Sequence, residues 1–143
     1  MNATTVSLVF GIVFLAIGIL GFFPGLLQAP PVDAPDLAVD SFYGYLFGLF
    51  PVNVVHNLVH VLFGIWGLVG SRTWSASRAY LKSVAVIYAV LAVFGLVPVL
   101  WTTFGLVPIF GHDVWLHVAL AVVAGYFGFR RETAPAPTMA RTA

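Results

Sequence analysis

Cysteine is missing from the chain, which rules out disulfides, iron–sulfur clusters and thiolate nucleophiles and leaves nitrogen and oxygen to hold any metal ion. Charge is nearly as scarce. Only 8% of the 143 residues are charged, six basic against five acidic, for a net charge of +1. Once the basic residues that flank apolar segments are set aside, no basic stripe is left for a nucleic acid. Catalytic signatures are absent as well: there is no G-x-S-x-G, no H-E-x-x-H, no glycine-rich phosphate loop and no paired carboxylates. Any activity would have to come from a bound metal or haem. What the chain has in quantity is hydrocarbon, with 61% hydrophobic residues and a mean hydropathy of +1.03. A soluble domain of this length does not need that much to fill its core.

The apolar residues fall into four stretches, about 5–27, 51–70, 80–101 and 110–129. At a rise of about 1.5 Å per residue, roughly 20 residues cross the ~30 Å hydrocarbon layer, so four spans fit and a fifth does not. The expected fold is an all-α, up-down-up-down bundle of four transmembrane helices in a single domain, 1–132, with 133–143 a disordered cytoplasmic tail. The first span lacks a basic leader and reads as a retained helix, not a cleaved signal peptide. The basic residues lie in two places, Arg72, Arg78 and Lys82 between spans two and three and Arg130, Arg131 and Arg141 after span four. Both places share a side only if both termini are cytoplasmic, the arrangement that the positive-inside bias favours for a plasma-membrane protein. Asp33, Asp36, Asp40 and Asp113 then lie on the other side, three of them in a proline-bearing loop that reads as solvated and extended.

The chain also repeats itself. Phe47-Gly48-Leu49-Phe50-Pro51 returns 57 positions later as Phe104-Gly105-Leu106-Val107-Pro108, and at the same offset His56 meets Asp113 and His60 meets His117. A weaker match relates Gly21-Phe-Phe-Pro24 in span one to Gly95-Leu-Val-Pro98 in span three. The reading is two tandem helical hairpins related by a pseudo-twofold axis along the membrane normal, with spans two and four as mates. On span two, Asn53, His56, Asn57 and His60 follow i, i+3, i+4, i+7 and form one polar face, which Gly64 and Gly67 continue inward. Span four repeats the plan with Asp113 and His117 followed by Ala121, Ala124 and Gly125.

Each ionisable group costs ~2.5 kcal/mol or more in mid-membrane unless it is paired or hydrated, so four of them converging from two related helices mark a site. Three imidazoles and a carboxylate, His56, His60, His117 and Asp113, form a closed set of four ligands suited to zinc, copper or iron, with Asn53 and Asn57 as expected orienters of the rings. Three other readings stay open. His60 and His117 are the expected axial ligands if the cofactor is haem; Asp113 and the histidines form a proton relay if there is none; or the cluster is a polar clasp that docks the hairpins. His112 lies off this face at the helix mouth, and the tryptophans and tyrosines read as interfacial or packing residues. Gly11, Gly18 and Gly25 recur every seven residues on span one, the pattern of either an internal seam or a face for a homo-oligomer. The lipid bilayer is the one partner that the composition implies.

The segments Pro51-Val-Asn-Val-Val-His56-Asn57-Leu-Val-His60, followed by Gly64 and Gly67, and Gly105-Leu-Val-Pro108-Ile-Phe-Gly111-His-Asp113-Val-Trp-Leu-His117 resemble a bacterial membrane-protein family, domain of unknown function 4383. The resemblance runs from span one to Arg130. It implies a small integral membrane protein with the N-x-x-H-N-x-x-H and D-x-x-x-H segments as its hallmark, and no activity to carry over.

Overall fold

The computed structural model describes residues 1–131, so the expected tail at 133–143 lies outside the described residues. Four α-helices make up the domain: α1 (Ala3–Leu20), α2 (Val54–Gly70), α3 (Trp74–Leu96) and α4 (His112–Phe129). Of these, α1, α3 and α4 are long and apolar enough to cross a membrane, and α2 is a shorter apolar helix of 17 residues.

Four of the helix boundaries depart from the apolar stretches for a local reason. The first stretch extends to residue 27, but α1 stops at Leu20, where Gly21 caps it and Pro24 opens a 3-10 turn, Pro24–Leu26. The second opens at Pro51, but α2 begins only after Asn53, whose side-chain oxygen accepts the His56 amide at 2.9 Å as a helix cap. The third runs to residue 101, but Val97 precedes Pro98, and the clash of a proline ring with the residue before it disfavours helix there. At its other end α3 starts six residues early, at Trp74, because Thr73 caps it through the Ala76 amide. Its first turns carry Arg78 ahead of the apolar stretch and Lys82 near its start.

The all-α expectation misses one feature. Strands β1 (Leu27–Gln28), β2 (Gly44–Leu46) and β3 (Phe50–Val52) form a small antiparallel sheet in the order β1-β2-β3. Pro51 is tolerated because β3 is an edge strand. Between β1 and β2 the aspartate-bearing loop exposes Asp33, Asp36 and Asp40. The Tyr43 hydroxyl pins it by donating to the Pro35 carbonyl at 3.1 Å, and burial pushes that phenol up to about 12, so it remains a donor throughout the physiological range.

The duplicated Phe-Gly pair folds the same way twice. Phe47 and Gly48 take φ of 55° and 73°, and Phe104 and Gly105 take 61° and 84°. Each pair forms a tight turn closed by a backbone bond, Leu49 N–H to Leu46 O at 3.1 Å and Leu106 N–H to Thr103 O at 3.3 Å. Two consecutive left-handed residues suit glycine in the second position; phenylalanine in the first is uncommon.

Small residues set the helix pairing. A Cβ built on Gly11 would lie 2.6 Å from the Leu68 nitrogen, and one on Gly18 would lie 2.8 Å from the Asn57 carbonyl, so α1 runs antiparallel to α2 at backbone contact. Gly25, the third member of the seven-residue series, lies beyond the seam with nothing within 4 Å. Likewise α3 and α4 are antiparallel, with Gly128 beside Lys82 and Gly95 beside Val114 and Ile109. The core between the two pairs is aromatic and aliphatic, built on Phe10, Phe14, Tyr80, Leu81, Val84 and Tyr88.

Candidate functional site

Two helix starts position the site. Asn53 begins α2 and holds the polar face inward, while α4 begins after Gly111, a residue with φ of 64° that turns the chain into the helix with Asp113 in its first turn. A carboxylate is favourable there because the helix N-terminus carries a partial positive charge. All four predicted ligands are buried: His56 and Asp113 are 3% exposed, His117 2% and His60 8%. His112, by contrast, is exposed.

The three buried rings share one hydrogen-bonding plan. His56 Nδ1 meets the Pro51 carbonyl at 3.2 Å, His60 Nδ1 the His56 carbonyl at 3.1 Å, and His117 Nδ1 the Asp113 carbonyl at 2.7 Å. A carbonyl oxygen can only accept, so each Nδ1 carries the proton and each Nε2 keeps its lone pair. His60 and His117, equivalent in the repeat, use the carbonyl four residues back in the same way, and those carbonyls belong to the equivalent residues 56 and 113.

Asp113 sits between the two halves of the cluster. Its Oδ2 is 4.0 Å from His56 Nε2 and 3.8 Å from His117 Nδ1. That oxygen is buried and accepts no hydrogen bond among the described residues. Aromatic rings complete the surround. His56 and His60 lie 4.6 Å apart, Phe14 packs edge-on to His60 at 5.6 Å, and Tyr88 stacks on Phe14 at 5.4 Å and on His117 at 4.6 Å. A continuous run of rings therefore connects the two halves through α1 and α3. Phe14 carries no signal in the sequence, and Tyr88 reads there as interfacial or packing; the signal for it is the spacing of Tyr80, Val84 and Tyr88 along one face of α3.

Two cavities flank the cluster. One, of about 210 Å³, is lined by His56, His60 and His117 together with Tyr88 and Thr103. The other, of about 200 Å³, is lined by His56, His60 and Asp113 together with Phe14 and Leu116. The two histidines of α2 stand between them.

The expected role of the asparagines is not the one observed. Neither is hydrogen-bonded to a ring among the described residues. Asn53 Nδ2 donates to the carbonyls of Val39 at 2.7 Å and Leu106 at 2.8 Å, tying α2 to the loop between β1 and β2 and to the loop before α4, and Asn57 Nδ2 donates to the Gly21 carbonyl at 2.7 Å. Backbone carbonyls orient the rings instead. The four ionisable residues are thus gathered in one buried region, but among the described residues no three His, Asp or Glu side chains form a group that would hold a metal ion.

No curated protein and no solved structure matches the chain. A family profile does, with the description "Domain of unknown function (DUF4383)", and it covers residues 4–130, from the first turn of α1 to the end of α4. Since the match takes in all four helices and both arms of the histidine and aspartate cluster, the chain belongs to the DUF4383 family.

Proposed function

We propose that this is an integral membrane protein that binds one divalent transition-metal ion, zinc, copper or iron, through His56, His60, Asp113 and His117. The observation that carries the reading is the shared tautomer. All three buried imidazoles commit Nδ1–H to a carbonyl, the arrangement in which the other nitrogen is kept as a ligand and the ring is oriented from behind. The buried, unpartnered Asp113 Oδ2 supports it, because a carboxylate without donors is costly unless a proton or cation accompanies it. His56 Nε2 and Asp113 Oδ2, 4.0 Å apart, lie within reach of a single ion at bond lengths of about 2.0–2.2 Å. Drawing in His60 and His117 takes side-chain adjustment, for which the flanking cavities leave room. Haem ligated by His60 and His117 is less well supported, since the cavity that both line, about 210 Å³, is smaller than the roughly 300–1,000 Å³ of pockets for drug-sized ligands.

A second reading has its own observation. The lack of a closed three-ligand group among the described residues favours a cluster that accepts protons or clasps the hairpins without a cofactor. Elemental analysis separates the two. Protein purified without chelator should carry close to one zinc, copper or iron per chain, and His60→Ala and His117→Ala should each lower the content at least ~10-fold, the smaller end of the loss seen even for outer-shell partners of metal sites. Metal-free protein at neutral pH that still takes up none on titration would leave the clasp or relay as the explanation.

The proposed setting is the plasma membrane, with four spans running up and down, the two hairpins related by a pseudo-twofold axis and both termini cytoplasmic. It is supported by the antiparallel pairs α1/α2 and α3/α4, the three-residue link between α2 and α3, and the basic residues clustered at one end. In this arrangement α2, about 25 Å long, is the shortest span. The chain has no cysteine, so a single introduced thiol reports position directly. An impermeant maleimide added to intact cells should label Asp36→Cys and not Ser75→Cys; the reverse pattern would overturn the topology.

A further inference from the structure

Basic residues also gather at the other end of the molecule, in a groove unconnected with the histidines. The start of α3 and the chain just after α4 enclose a cavity of about 530 Å³ lined by Trp74, Ser75, Arg78, Ala79, Lys82 and Arg131. We propose that this groove binds the phosphate of an anionic lipid headgroup.

Three features point to that ligand. The first is the charge. Arg78, Lys82 and Arg131 bring three cations to one groove, and among the described residues none of them pairs with a carboxylate. The described acids, Asp33, Asp36, Asp40 and Asp113, belong to the aspartate-bearing loop and the start of α4, at the opposite end of α3 and α4. The second is donor geometry. Trp74 and Ser75 open α3, and their backbone N–H groups have no partner among the described residues, since the Thr73 hydroxyl and carbonyl take the amides of Ala76 and Ser77. The Trp74 indole N–H is buried without a partner as well. The third is the way the cationic side chains are held. The Arg78 guanidinium lies 4.9 Å over the Trp74 ring and donates to the Arg130 carbonyl at 2.8 Å, and Lys82 Nζ lies 5.4 Å over Phe129. Aromatic faces thus fix two of the cations at the rim of apolar helices, the depth at which a headgroup phosphate sits.

A free phosphate ion offers the same chemistry, so the test includes both. The full-length protein in neutral detergent is titrated with phosphatidylglycerol, with zwitterionic phosphatidylcholine, or with inorganic phosphate, and binding is read from the thermal midpoint. Phosphatidylglycerol should raise the midpoint saturably, with little effect from the other two. The double variant Lys82→Gln/Arg131→Gln spares Arg78, whose bond to Arg130 is structural, and should keep the midpoint measured in detergent alone. Its apparent affinity for phosphatidylglycerol should fall on the order of 30-fold, given what each basic residue contributes at an anionic surface. A double variant that responds like the parent, equal protection by phosphatidylcholine, or equal protection by inorganic phosphate would each overturn the assignment to an anionic lipid.

Discussion

Gly64→Leu is expected to lower unfolding stability by about 3 kcal/mol or more, at or above the upper end of the usual cost of overpacking. A Cβ at this position would already lie 2.6 Å from the Leu15 nitrogen and 2.8 Å from its Cα, both backbone atoms that no rotamer change can move aside. Across the seam, a Cβ at Gly67 would lie 2.8 Å from the Gly11 Cα. The two helices would have to part along much of their length. Helix propensity acts in the opposite direction by about 1 kcal/mol, because glycine is a poor helix former, but that gain is too small to offset the clash. Separation would also loosen Phe14 from His60, so the variant should lose the proposed metal as well. Gly25→Ala serves as the control, since nothing lies within 4 Å of that site. Chemical or thermal unfolding in detergent should place Gly64→Leu far below this control. Equal stability for the two would show that the glycine seam does not hold α1 to α2.

The seam and the cluster were legible in the sequence because both depend on helical periodicity. Asn53, His56, Asn57 and His60 lie on one face whatever the neighbouring helix does, and Gly64 and Gly67 continue that face, so burial and close approach followed from spacing alone. The repeat was legible for a different reason. A left-handed turn needs glycine at a fixed place, and Phe-Gly recurs 57 positions on with the ionisable residues in register. What periodicity does not encode was missed. Strands of two or three residues have too few positions to show alternation, and Pro51 in β3 argues against a strand unless its edge position is known. The helix ends were read from hydropathy, which does not register capping, so α3 was expected to start at Ala79-Tyr80 and not at Thr73-Trp74. Sharing a face with the histidines makes the asparagines look like partners of the rings. Their partners, the carbonyls of Val39, Leu106 and Gly21, are main-chain atoms of distant segments, and no residue type at those positions announces them.

Those distant carbonyls make Asn53 the polar residue whose loss should be felt most. Its side chain does three things at once: the oxygen caps α2 through the His56 amide, and the two N–H groups hold Val39, in the loop between β1 and β2, and Leu106, in the loop before α4. Asn53→Ala removes a helix cap worth about 1 kcal/mol. It also takes the donor from two part-buried carbonyls, each at the lower end of the roughly 1–3 kcal/mol that an unmade bond costs. A loss of about 3 kcal/mol is expected, measured as unfolding free energy in detergent. Asn53→Asp separates the contributions, since a carboxylate can still cap the helix but faces two carbonyl oxygens with no proton to offer. It should be at least as unstable as the alanine variant, although it keeps the cap. Asn57→Ala should cost less, about 1 kcal/mol, because it gives up one bond to Gly21 and at the same time removes an amide oxygen that is buried without a partner. If Asn53→Asp proves as stable as the parent, the cap is all that Asn53 contributes, and the β1–β2 loop and the loop before α4 are held by something other than its amide.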